Sequence, residues 1–132
     1  MARNPMANYQ KVQATTATPG QRVILVYKGI SSNIKQAINH ILASKDDPSK
    51  LVEANNAILL AQQLIQELQM ALDKENGGEI AKNLEELYIF WYDHLADGNI
   101  KKDTKMLRDV LNMVKEMTES WVAAEKDVRK SE

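Results

Sequence analysis

Between Leu51 and Leu72 the apolar residues fall into two stripes rather than one. Leu51, Ala54, Ile58, Ala61, Ile65, Leu68 and Leu72 recur at alternating three- and four-residue steps, the spacing of one helical seam. Ala57, Leu60, Leu64 and Ala71 form a second stripe, about 100° around a helix of ~3.6 residues per turn. One dry stripe needs one neighbour. Two need either two neighbours within the fold or a partner from outside it.

Three further stretches carry a helical period. Thr18-Pro19-Gly20-Gln21 reads as a helix start, with Thr18 as cap, Pro19 at the first helical position and Gln21 completing a capping box. The seam behind it is Val23, Tyr27, Ile30, Ile34, Ala37 and Ile41, widened by Ile24, Ile38 and Leu42. Gly29 inside this helix points to close packing against another backbone. Asp46-Asp47-Pro48 ends the helix, and Ser49 is the expected cap of the next. The doubled seam then runs to Asn76-Gly77-Gly78, where the chain reverses, and Glu79 opens a third helix. Its seam is Ala81, Leu84, Tyr88, Trp91 and Leu95, and Gly98 is expected to end it as a left-handed cap. A last helix, starting between Asn99 and Asp103, carries Leu107, Val110, Val114, Met117, Trp121 and Ala124.

Four helices with short connections predict an all-α fold, an antiparallel up-down four-helix bundle, with a three-helix core plus one loosely packed helix as the fallback. The bundle is expected over 18–127. Residues 1–17 have no sustained period and read as a flexible N-terminal arm, either disordered or conditionally ordered, and 128–132 as a frayed tail.

Composition narrows the function. The chain has 132 residues, no cysteine and a net charge of -1, with acidic and basic residues mixed throughout. Disulfides and thiolate chemistry are excluded, and no nucleic-acid partner is expected without a basic stripe. No apolar run approaches the ~20 residues of a membrane span, and neither membrane insertion nor a secretory signal is expected. The two histidines, His40 and His94, do not follow a glutamate by three residues, so the bundle di-iron pattern is missing and no metal is expected. No serine sits in a nucleophile elbow, and Gly77-Gly78 lacks the lysine of a phosphate-binding loop. The reading is a binding protein without cofactor, not an enzyme. Tyr88, Phe90, Trp91 and Tyr92 cannot all face one core, so Phe90 or Tyr92 is expected to be partly exposed, as flank cover or as a patch awaiting a partner.

Four motifs resemble one known family across most of the chain. They are Tyr9-Gln10; Thr18-Pro19 leading to Val26-Tyr27-Lys28-Gly29; the block Leu72 to Leu84 with Leu87-Tyr88 after it; and Asn99 followed by a helix ending in Trp121. The block is the specific one. Together they resemble the flagellar export chaperones that bind flagellin. The chain departs from that pattern at Lys28, where the family usually has an acidic residue, at Gly98, where it has alanine, and at Asp93 and His94, where basic residues are common.

The resemblance implies a cytoplasmic, monomeric helical-bundle chaperone. It would bind the disordered C-terminal segment of flagellin, prevent premature polymerisation and deliver the cargo to the flagellar type III export gate. Such recognition is a helix laid in a groove, coupled to folding of the guest. Residues carried over from the matching motifs are Tyr27, Leu87, Tyr88 and Asn99 for cargo binding, with Tyr9 and Gln10 in an arm that caps the groove. Ile58, Ile65 and Leu68 are expected either as groove lining or as plain core. The alternative function is a helical-bundle adaptor or regulator for some other amphipathic helix.

Overall fold

The computed structural model of the protein describes residues 17–130. They form four helices: α1 (Pro19–Ala43), α2 (Lys50–Ala71), α3 (Gly78–Lys101) and α4 (Thr104–Lys130). The helices stand in a square. α1 packs on α2 and α4, and α3 packs on the same two, so α1 and α3 face each other across a diagonal. Neighbours run antiparallel, as cross-helix contacts show. Gln62 and Asn55 of α2 bond to Tyr92 and Asn99 of α3, so seven residues back on one helix match seven forward on the other.

Each helix boundary has a local cause. Thr18 and Gln21 form the reciprocal capping box expected of them, Gln21 N–H donating to Thr18 Oγ1 at 3.2 Å and Thr18 N–H to Gln21 Oε1 at 3.0 Å. Ser49 does not cap α2 with its side chain. Asp47 collects the bonds instead: its Oδ1 accepts from Ser49 N–H at 3.1 Å and from Ser49 Oγ at 2.6 Å. An aspartate accepting from the amide two residues on is the standard Asx turn, which competes with the serine cap here.

The second connection needs both of its glycines, for different reasons. A Cβ on Gly77 would lie 2.5 Å from Ala81 Cβ and 2.6 Å from Asp73 O, and Gly78 sits at φ +57°. Asp73 braces the same turn, accepting from Asn76 N–H at 3.1 Å and from its side-chain amide at 3.0 Å.

At the third connection the expected break moves. α3 continues through Gly98 to Lys101, and the left-handed residue is Lys102, at φ 49° and ψ 42°. Gly98 serves packing instead: a Cβ there would lie 3.0 Å from Leu107 Cδ2 and 3.2 Å from Met106 Cβ. The turn closes with Asp103 N–H donating to Gly98 O at 3.0 Å, the bond pattern of a Schellman end. Asp103 then starts α4, accepting from Lys105 N–H at 2.9 Å.

The core follows the seams. Tyr27, Ile30, Ile34 and Ala37 of α1, Tyr88, Trp91 and Leu95 of α3, and Leu107, Val110 and Val114 of α4 are buried. On α2 the first stripe is buried from Ala54 through Ile58, Ala61 and Ile65 to Leu68. The second stripe is only half covered. Ala57 is buried, and Leu64 packs on α1 beside Gly29, where an added Cβ would meet Leu64 Cδ1 at 3.1 Å. Leu60 and Ala71 stay exposed. Two neighbours thus absorb most of the doubled seam, and close approach at Gly29 is the reason that α1 can serve as one of them.

Truncating the two stripes separates them. Ile65→Ala should cost ~2–5 kcal/mol, because the cavity lies in a packed core. Leu60→Ala should cost about 1 kcal/mol or less, since half of that side chain is already in water. Urea denaturation of both variants checks the pair.

Candidate functional site

The sequence-derived site residues divide by burial. Tyr27, Ile58, Ile65, Leu68 and Tyr88 are sealed in the core. They hold α1, α2 and α3 in place, and Ile58, Ile65 and Leu68 sit in the core in this structure. Leu87 is half-buried and packs against the core, and Asn99 is half-buried at the α2–α3 contact. Tyr9 and Gln10 lie outside the described residues.

Tyr27 and Tyr88 meet across the bundle's diagonal, hydroxyl to hydroxyl at 2.7 Å. Tyr27 also makes edge-on ring contacts with Trp91 and Trp121, at centroid distances of 6.0 and 6.2 Å. Burial drives both phenols above their ordinary pKa, and for Tyr27 the hydrogen bond to Tyr88 adds to it. Asn99 ties the opposite end together. Its Nδ2 donates to Asn55 Oδ1 at 2.8 Å, and its Oδ1 accepts from the Lys102 ammonium. Partial burial lowers the pKa of that ammonium.

The tyrosine pair fixes α3 against α1 and the Asn55–Asn99 bond fixes it against α2. On the outer side of the α2–α3 contact, exposed apolar side chains of both helices flank a shallow groove. On α2, Val52, Leu59 and Met70 are exposed at spacings of seven and eleven residues, close to whole numbers of turns. On α3, Ile89 and Ile100 are exposed eleven residues apart. Gln66 and Gln69 face Ile89, Tyr92 and Asp93 across a hollow of about 150 Å³. Gln62 is buried beneath, donating to Tyr92 O at 3.2 Å. From Ala54 to Gln66 the chain has no charged residue, although α2 is a surface helix with Asn56, Leu59 and Leu60 in water. A face with leucines and amides but no charge has the composition of an interface core.

Helical periodicity within one helix does not mark this groove. Val52, Leu59 and Met70 belong to neither stripe of α2, and Ile89 and Ile100 lie off the α3 seam. The signal was the remainder: apolar residues left over once the core seams are assigned, aligned on one face. Phe90 is a separate case, half-exposed and stacked on His94 at 5.1 Å on the α4 side of α3.

Comparison with known proteins adds the family context. The sequence profile described as flagellar protein FliS matches residues 2–128. The chain is 32% identical to the flagellar secretion chaperone FliS of Bacillus subtilis (strain 168), over 97% of this chain and 91% of that protein. It is 29% identical to the flagellar secretion chaperone FliS of Vibrio cholerae, over 90% and 87%. The flagellar secretion chaperone FliSB of Pseudomonas aeruginosa is 31% identical, over 91% and 94%.

The tyrosine pair makes a double-mutant test. Tyr27→Phe should cost ~1–3 kcal/mol by stranding the Tyr88 hydroxyl, and Tyr27→Phe with Tyr88→Phe should cost less than the two single changes added. The pair also sets an alkaline limit. Both folded pKa values lie above the unfolded value near 10, so their contribution is intact below that pH and lost as pH rises beyond it. Thermal melts from pH 8 to 11 should fall more steeply for the native chain than for the double phenylalanine variant.

Proposed function

We infer the function from one premise: the chain belongs to the FliS family of flagellar proteins. Its relatives are flagellar secretion chaperones rather than enzymes, and the chain is a flagellar export chaperone whose partner is a flagellar protein. Among the described residues no helix is long and apolar enough to cross a membrane, and no cluster of acidic and histidine side chains could hold a metal ion.

The cargo is flagellin, taken by its disordered C-terminal segment in the cytoplasm and passed to the export gate by a monomeric chaperone. The observation that carries this reading is the uncharged outer face of α2 beside Ile89 and Ile100 of α3. An amphipathic segment gains enough there only if it lies along the groove, because ordering it costs ~2–5 kcal/mol. From Val52 to Met70 is eighteen residue steps, a rise of about 27 Å, so several turns of guest helix can be seated at once. The buried site residues act through the shape they impose: Tyr27 and Tyr88 hold α3 in register, and Asn99 pins the far end. Leu87 lies on the other side of α3, where a guest longer than the groove would continue.

On this reading the arm, residues 1–17 with Tyr9 and Gln10, would cover this groove until cargo displaces it. It joins the bundle at Thr18, at the end where α2 finishes and α3 begins, and a segment of that length reaches ~50 Å when extended.

Leu59→Asp combined with Ile89→Asp should weaken binding of a peptide from the flagellin C-terminus at least thirtyfold, about 2 kcal/mol. The melting temperature should stay within a few degrees, because both side chains are about half exposed. Calorimetry beside a thermal melt reads both, and unchanged binding would exclude this groove. If flagellin lacking its C-terminal segment binds as tightly as the full chain, the cargo assignment fails, and an adaptor for another amphipathic helix takes its place. Deleting residues 1–16 should raise peptide affinity; unchanged affinity with unchanged solubility would remove the arm's covering role.

A further inference from the structure

The α1–α4 edge, on the other side of the bundle from the apolar groove, carries a polar notch of about 380 Å³. Its walls are Lys28, Ser31, Ser32 and Lys35 of α1 with Lys115, Thr118 and Glu119 of α4. Three ammonium groups face one carboxylate in a chain whose net charge is -1. The notch is therefore a local excess of positive charge on a nearly neutral chain. Among the described residues Lys28, Lys35 and Lys115 have no carboxylate within ion-pair distance.

Ser31 is the second observation. It is the most buried residue of the notch, 8% exposed, and its hydroxyl has no hydrogen-bond partner among the described residues. The other two hydroxyls are engaged: Thr118 Oγ1 donates to Val114 O at 2.7 Å, and Ser32 Oγ accepts from Gln36 Nε2 at 3.4 Å. A helix serine usually turns its hydroxyl back to the preceding turn or out to bulk water. Here it lines the floor of the notch and its hydroxyl is open to whatever occupies it.

We propose that this notch docks an acidic helical segment of a second protein, with Lys28, Lys35 and Lys115 pairing its carboxylates and Ser31 donating to one of them. Spacing favours a helix over a small anion. Lys28 and Lys35 stand seven residues apart on α1, ~10.5 Å along the axis, which equals the separation of carboxylates at i and i+7 on a guest helix. Such a row of charges is too long for one phosphate and matches an acidic helix face. Glu119 on the rim gives the site a direction, because a basic residue on the guest is accepted only at that end. The proposal stands apart from the chaperone reading, since it uses none of the groove residues and leaves cargo and acidic partner able to bind together.

The probe is a fluorescent fifteen-residue helical peptide with glutamates at i, i+3 and i+7, beside its glutamine counterpart, read by anisotropy at low salt. The full chain should bind the glutamate peptide at least tenfold more tightly than the glutamine one. Lys28→Gln with Lys35→Gln and Lys115→Gln should abolish that preference, whereas Lys45→Gln with Lys82→Gln and Lys126→Gln, an equal charge change elsewhere, should keep it. Ser31→Ala should weaken binding several-fold without lowering the melting temperature. Circular dichroism confirms that each variant folds. An equal loss in both triple variants would reduce the effect to net charge and overturn the proposal. So would no preference for the glutamate peptide, or inorganic pyrophosphate displacing it at micromolar concentration, which would mark a small-anion site.

Discussion

The contact on which the rest of this bundle depends is the hydroxyl pair of Tyr27 and Tyr88. α1 and α3 lie on a diagonal and share no backbone packing, so side chains alone must fill and set the distance between them. Two phenols meet at 2.7 Å where no water reaches; the Tyr27 ring packs edge-on against Trp91 and Trp121, and the Tyr88 ring lies tilted against Trp91. Aromatic pairs of this geometry contribute ~0.5–1.5 kcal/mol each beyond the area they bury. A hydroxyl left alone in that place would oppose folding by a similar or larger amount. The pair thus acts as a gauge: α3 sits where the phenols meet. The Asn55–Asn99 bond and the Gln62 bond to Tyr92 O then fix its register on α2. Position and register together define the outer groove.

The helices were legible because their cores are one-sided and periodic. The seam from Ala81 to Leu95, the capping box at Thr18 and the reversal at Gly77-Gly78 all follow from short-range rules, and short-range rules govern them in the fold. The departures come where two local solutions compete. Glycine at 98 is an obvious stop signal, yet it lies under Leu107 and Met106, and the helix ends four residues later on a lysine in the left-handed region. Nothing local to Asp97-Gly98-Asn99 reveals that α4 will pass so close. Likewise Ser49 is a good cap, but Asp47 before Pro48 captures the hydrogen bonds first.

The candidate site was less legible, for a physical reason. Motif residues such as Tyr27 and Tyr88 hold the helices together, and a surface cannot be read from residues that are inside. The groove consists of what the core does not use: Val52, Leu59, Met70, Ile89 and Ile100. Their significance depends on two helices being side by side, which periodicity within one helix does not report. The missing charge from Ala54 to Gln66 is visible in the sequence, but its meaning needs the knowledge that this face of α2 is in water. A chaperone for an apolar segment benefits from keeping core and groove separate. Its own fold then does not depend on the guest, and the exposed strip stays narrow and interrupted by amides, which limits self-association.

Methyl-resolved NMR of the chaperone, free and with a flagellin C-terminal peptide added, can separate core from groove. Large shifts are expected for the methyl groups of Leu59, Ile89 and Ile100 on binding, with Ile58, Ile65 and Ile34 almost unmoved. Large shifts at Ile58 and Ile65 with silence at Leu59 and Ile89 would mean that the guest enters an opened core, and would contradict that separation.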